Sequence, residues 1–246
     1  MFGLIQYESG VKSARARLRG TVWERSEVAH SFYGMLMTLG RALGRVGVTP
    51  NFLTYSSLLL AACAGVAAGF SHFAWAALFV LLSGICDALD GVVARSTGQV
   101  TRYGALLDST VDRLADGFPL LGLIVAFASQ PWLSVLPALA LLGGFAVPYV
   151  RARAEALGVS LPPLFMRRAE RVILLLFSLL LGELPFGVVV HAPLLLVGVT
   201  LMGLLSFIGA FWALREARRA LESTAQPKRE SDQEPVSPAA TTPSRP

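Results

Sequence analysis

From residue 51 to residue 216 the chain reads as long apolar stretches separated by short polar breaks. A helix needs roughly 20 mostly apolar residues to cross bilayer hydrocarbon, and the pattern predicts six spans, at about 51–70, 73–96, 103–128, 133–157, 167–182 and 189–216. The first opens at Thr49-Pro50-Asn51, where proline suits a first helical turn. Pro137 and Pro148 fall inside the fourth, where kinks are expected. The fifth is short for a crossing. Ahead of the spans, residues 21–47 mix Val22, Trp23, Phe32, Met35, Leu36 and Leu39 with Arg25, His30, Arg41 and Arg45. This mixture predicts an amphipathic helix lying in the membrane interface. The expected fold is an all-α integral membrane protein, with six transmembrane helices preceded by an N-terminal interfacial amphipathic helix.

The flanks divide the chain further. Residues 1–20 are polar and basic, and are expected to be loosely ordered. Residues 21–220 form one membrane domain. Residues 221–246, rich in Pro, Ser, Thr, Glu and Gln, cannot bury a core and are expected to be a disordered tail. The first thirty residues carry Arg15, Arg17, Arg19 and Arg25 with no apolar core between them, unlike a signal peptide.

Composition sharpens the membrane reading. Charged residues make up 15% and hydrophobic residues 54%; a soluble domain usually carries about 25% charge. The net charge is +5, carried by arginine, with lysine only at Lys12 and Lys228. Such a balance suits nucleic acid or an anionic membrane surface. Here long apolar runs separate the arginines and no nucleic-acid-binding signature is present, so no nucleic-acid partner is expected. The arginines also collect on one side of the predicted spans, at Arg95, Arg102, Arg151, Arg153, Arg167, Arg168, Arg171, Arg215, Arg218 and Arg219. The positive-inside rule then predicts a multi-pass protein of the cell membrane with both termini in the cytoplasm. Cys63 and Cys86 sit inside apolar runs and read as small core hydrophobes.

Five of the six aspartates lie between residues 87 and 116, inside otherwise apolar helices. Ionisable groups within a span are expensive and point to function. Arg95 and Arg113 are too few to balance them, which calls for metal. Asp87 and Asp90 are three residues apart, and Asp108 and Asp112 four apart, so each pair shares a helix face. Facing pairs of hard oxygen ligands suit Mg²⁺ or Mn²⁺. His30, His72 and His191 all lie elsewhere, which disfavours zinc or non-haem iron. Gly91, Ala94 and Gly104 leave room for a ligand to approach the backbone, or for helices to pack closely.

Read in order, the segment is Asp87, Asp90, Gly91, Ala94, Arg95, then after eight residues Gly104, Asp108 and Asp112. It resembles the signature of the CDP-alcohol phosphotransferase family, D-x2-D-G-x2-A-R-x8-G-x3-D-x3-D, at every fixed position. The resemblance spans about residues 25–220. It implies transfer of a phosphatidyl group from CDP-diacylglycerol to an acceptor alcohol, with release of CMP. It further implies that Asp87, Asp90 and Asp108 ligate metal, in a two-metal site. Asp112 would be the general base and border the second ion. Gly91, Ala94, Arg95 and Gly104 would line the cytidine and diphosphate site. A homodimer is the family expectation.

A second basic patch concerns the acceptor. Arg151 and Arg153 end the fourth predicted span, and Arg167, Arg168 and Arg171 open the fifth. Arginine forks favour phosphate, whereas span flanks are basic in any case. Arg151, Arg153, Arg168 and Arg171 look like the acceptor-phosphate residues of the phosphatidylinositol-phosphate synthase branch, although Arg167 and Ala169 depart from its pattern. The implied acceptor is a phosphorylated alcohol such as inositol phosphate; glycerol 3-phosphate is the alternative. A cation transporter built on the same carboxylates would not explain Gly91, Ala94, Arg95 and the fixed gaps. A non-catalytic scaffold would be expected to lack at least one aspartate. Asp116 lies one turn past Asp112, and is expected to pair with an arginine of the patch or to support the ligands from behind.

Overall fold

The computed structural model describes residues 27–162, 165–184 and 192–225. These residues form seven helices and no strand: α1 (Glu27–Arg45), α2 (Pro50–Gly69), α3 (Phe73–Ser96), α4 (Arg102–Ala126), α5 (Pro131–Ala156), α6 (Arg168–Gly182) and α7 (Pro193–Ala225). The N-terminal segment 1–20, residues 21–26 of the expected interfacial helix, residues 189–191 of the expected sixth span and residues 226–246 of the tail lie outside the described residues.

Local chemistry sets several helix boundaries. Thr49 Oγ1 accepts from Phe52 N at 3.3 Å with Pro50 in the first turn, which starts α2. Thr101 Oγ1 does the same for α4, accepting from Gly104 N at 2.9 Å. His72 offers α3 no side-chain cap. Instead Glu183 Oε1, at the far end of α6, accepts from Ala74 N at 2.6 Å. Gly98, at φ 70°, takes the left-handed conformation that turns the chain from α3 towards α4.

Four helices are long and apolar enough to cross a membrane: α2, α3, α5 and residues Pro193–Glu222 of α7. Six spans were expected, and the other two helices do not meet the same measure. α4 has the length, but Asp108, Asp112, Arg113 and Asp116 break its apolarity. α6 has 15 residues, about 22 Å at 1.5 Å per residue, against a hydrocarbon thickness of about 30 Å. The last helix also runs further than expected. It continues through Ala225, into the segment expected to be disordered, with Arg218–Glu222 (2.7 Å) and Arg219–Glu216 (2.8 Å) pairs along its surface.

The helices pack as two groups. α2 lies against both α3 and α4, and α7 lies against α5 and α6; α4–α5 and α3–α6 contacts join the groups, and α1 rests on α3. Lipid tails are as apolar as leucine, so association here depends on close packing and small residues. Gly65 and Gly122 bring the α2 and α4 backbones together, and a Cβ on either would strike the other helix's main chain. Gly203 of α7 sits likewise against Ala140 of α5. The shared core runs through Ala64, Ala77, Leu123, Leu179, Leu195 and Val199. Large apolar side chains cover the outside instead, Trp132 at 87% and Phe70 at 73% exposed, as a lipid-facing surface requires. Within α1, Leu36 is buried and Gly40 lies against Val92, while Met35 and Leu39 stay exposed. The apolar positions of α1 are thus divided between the protein and its surroundings.

Candidate active site

The carboxylates meet where α3, α4 and α6 converge. One oxygen from each of Asp87, Asp90 and Asp108 lies within 4.8 Å of the others. Helical spacing brings Asp87 and Asp90 to one face, and α4, packed beside α2 and α3, brings Asp108 to it. Asp90 is buried. Its Oδ2 accepts from the Thr54 hydroxyl of α2 at 2.6 Å. Asp87 Oδ1 is buried without any hydrogen-bond partner. A buried carboxylate oxygen left bare is costly, and a hard divalent cation is the partner that three converging carboxylates favour. The residues therefore fit such an ion.

Asp112 is not one of these three but neighbours Asp87 and Asp108. Its Oδ1 lies 2.7 Å from Arg168 Nη1 but lacks hydrogen-bond alignment. The same Nη1 donates to Asp87 Oδ2. Arg168 Nε donates to Asp116 Oδ1 at 3.2 Å, and Arg171 Nη2 to Asp116 Oδ2 at 2.7 Å. One arginine thus links the triad to Asp112 and Asp116. The aspartate segment alone is short of cations; α6 supplies them from far along the chain.

The other predicted residues divide clearly. Gly91, Ala94, Arg95 and Gly104 line one cleft, together with Asn51, Thr54, Asp90 and Asp108. Arg95 folds back over Gly91, where a Cβ would meet its Nη1 at 2.9 Å. The space at Gly91 is therefore occupied by the protein's own guanidinium. Gly104 supports the Thr101 cap. In the basic patch, Arg168 and Arg171 line an inner cavity with Arg113 and Asp116. Arg151 pairs with Glu155 at 3.2 Å one turn along its own helix. Arg153 is exposed. Neither lines that cavity. Cys63 and Cys86 are free thiols, both half-buried.

Two spaces reach the triad, and a third adjoins it through Arg168. The polar cleft reaches Asp90 and Asp108. The inner arginine cavity reaches Asp116 and Arg168. A third, apolar groove between α3 and α6 is lined by Val80, Leu81, Ile85, Val172 and Leu176, and includes Asp87 and Arg168. Thr54 and Arg113 were not singled out as site residues in the sequence. Thr54 stands 36 residues from the aspartate it serves, and no local spacing betrays it.

Comparison with known proteins agrees with this geometry. The CDP-alcohol phosphatidyltransferase family model matches residues 47–209. An archaetidylinositol phosphate synthase of Pyrococcus horikoshii is 31% identical over 188 residues, covering 76% of this chain and 93% of that protein. The crystal structure of Mycobacterium tuberculosis phosphatidylinositol phosphate synthase with CDP-DAG bound superposes with a TM-score of 0.67 at 31% identity, covering 74% of this chain and 92% of that one. The same enzyme in complex with manganese and citrate also gives a TM-score of 0.67, covering 74% of this chain and 88% of that one.

Proposed function

The chain belongs to the CDP-alcohol phosphatidyltransferase family, and on that premise we propose that it transfers the phosphatidyl group of CDP-diacylglycerol to inositol phosphate, releasing CMP. The observation that carries this reading is the carboxylate triad between a polar cleft and an apolar groove, joined through Arg168 to an arginine-lined cavity. A lipid nucleotide and a phosphorylated acceptor need three such spaces around one reacting centre.

Asp87, Asp90 and Asp108 would hold Mg²⁺ or Mn²⁺, and Asp112 would border a second ion. When bound, the metal neutralises the diphosphate and stabilises charge on the departing CMP. Gly91, Ala94, Arg95 and Gly104 bind the cytidine diphosphate end in the polar cleft. The apolar groove between α3 and α6 receives an acyl chain. Asp112 takes the proton of the acceptor hydroxyl as that oxygen attacks the lipid-side phosphorus. The bond between that phosphorus and the bridging oxygen breaks, and the oxygen leaves with CMP. Arg168 receives the acceptor phosphate, with Arg113 and Arg171 lining the same cavity. Arg151 and Arg153 serve at the outer approach. The names of the relatives, archaetidylinositol phosphate synthase and phosphatidylinositol phosphate synthase, support this acceptor over glycerol 3-phosphate.

We further propose six membrane-embedded helices, α2 to α7, with α1 in the interface. Asp112, Arg113 and Asp116 of α4 are partly buried against the protein, and α6 packs on α3 and α7. Both termini then face the cytoplasm, with the arginine-rich helix ends. We also propose that the enzyme works as a homodimer in the cell membrane. Purified protein, CDP-diacylglycerol, divalent metal and a panel of acceptors test the reaction: CMP release with inositol phosphate is expected. Release with glycerol 3-phosphate alone would replace the acceptor, and no release with any alcohol would remove the activity.

A further inference from the structure

Arg171 carries a positive charge at a site only 7% exposed. Both of its terminal nitrogens already donate to the protein, whereas Arg168 engages the aspartates through Nε and Nη1. Nη1 donates to Met166 O at 2.9 Å, and Nη2 to Asp116 Oδ2 at 2.7 Å. Met166 has φ 57°, a left-handed conformation that a bulky residue rarely adopts, and its side chain is buried in the core. Arg171 thus holds the backbone of the segment that leads into α6, whose first residue is Arg168. The other oxygen of Asp116 accepts from Arg168 Nε. A long arginine side chain has many rotamers, and pinning Nε fixes the plane of its fork. Asp87 takes Nη1.

We propose that Asp116 is a positioning residue. Braced by Arg171, it fixes Arg168 as the guanidinium presented to the phosphate of the acceptor, while Arg171 supports the site without touching substrate. This rests on the reading that Arg168 meets the acceptor phosphate. It assigns a task to an aspartate outside the eight-residue signature, and it separates two arginines that lie three residues apart.

The test is steady-state kinetics of the full chain with CDP-diacylglycerol and Mn²⁺, varying inositol phosphate. Wild type, Asp116→Asn, Arg168→Lys and the double variant are compared. Asp116→Asn is expected to raise the acceptor KM about tenfold or more, as loss of a charged hydrogen bond allows, with the CDP-diacylglycerol KM nearly constant. The double variant should resemble Arg168→Lys alone, because nothing remains to be positioned. Asp116→Glu should restore part of the lost acceptor affinity. Effects that multiply in the double variant, or both KM values rising together, would overturn the proposal. An unchanged acceptor KM in Arg168→Lys would instead remove the acceptor reading, and the proposal with it. Should Asp116→Asn not fold, Arg171→Lys keeps the charge and loses the fork. It is expected to give the same KM split, and an unchanged acceptor KM there would equally overturn the brace.

Discussion

Thr54 of α2 donates its hydroxyl to Asp90 of α3 at 2.6 Å in the protein interior. Hydrogen bonds to charged groups contribute about 1.5–3 kcal/mol, and partners behind a metal ligand typically affect metal affinity by about 10–100-fold. Thr54→Val keeps the shape and removes the donor. It should weaken Mn²⁺ binding by about tenfold or more, measured by electron paramagnetic resonance. Unchanged affinity would show that Asp90 is oriented without Thr54.

Asp112 lies outside the triad and beside Arg168. As the proton acceptor it should be needed for turnover and dispensable for donor binding. Asp112→Asn is expected to reduce CMP release by about 10²–10⁴-fold. Titration calorimetry with CDP-diacylglycerol should give an affinity close to wild type. If turnover survived, the base would be another group.

Gly91 lies under the Arg95 guanidinium. A methyl group there meets the far end of a flexible side chain, so Gly91→Ala should fold normally while displacing Arg95 from the cleft. The KM for CDP-diacylglycerol should rise severalfold, with the acceptor KM unchanged. A rise in the acceptor KM alone would move the nucleotide out of this cleft.

The sequence and the structure agree best where the physics is local. The spacings of Asp87 with Asp90, and of Asp108 with Asp112, follow from one helical turn, so the paired faces were legible. The helix starts at Pro50 and Arg102 fall within a residue of the expected 51 and 103, the first marked by its proline. Contacts across the fold were not. Arg168 reaches Asp87 over 81 residues and Thr54 reaches Asp90 over 36. No periodicity encodes such pairs. Arg151, Arg153, Arg168 and Arg171 share the ends of two neighbouring spans in the sequence, yet Arg151 binds Glu155 on its own helix while Arg168 and Arg171 turn inward to Asp116. Counting apolar residues gave six spans, but the charges of α4 and the 15 residues of α6 leave four helices that meet that criterion alone.

Glu183 caps α3 from the opposite end of α6 to Arg168. Glu183→Ala leaves the α3 terminus without a side-chain acceptor, a loss of about 1 kcal/mol. For a protein of this size that corresponds to a melting temperature lower by about 2–4 °C. Activity per folded molecule should change little, since the site lies at the other end of the helices. An unchanged melting temperature would show that water caps α3 equally well.

Phosphatidyl transfer to inositol phosphate is assigned to the triad, the cleft and groove that reach it, and the arginine cavity joined through Arg168. The direct measurement is mass spectrometry of the lipid formed by purified protein from CDP-diacylglycerol and inositol phosphate, with and without Mn²⁺, alongside CMP release. Phosphatidylinositol phosphate and CMP are expected in equal amounts, both lost on chelation and both lost in Asp108→Asn. Inositol lipid formed without metal, or CMP released with no inositol lipid, would contradict it.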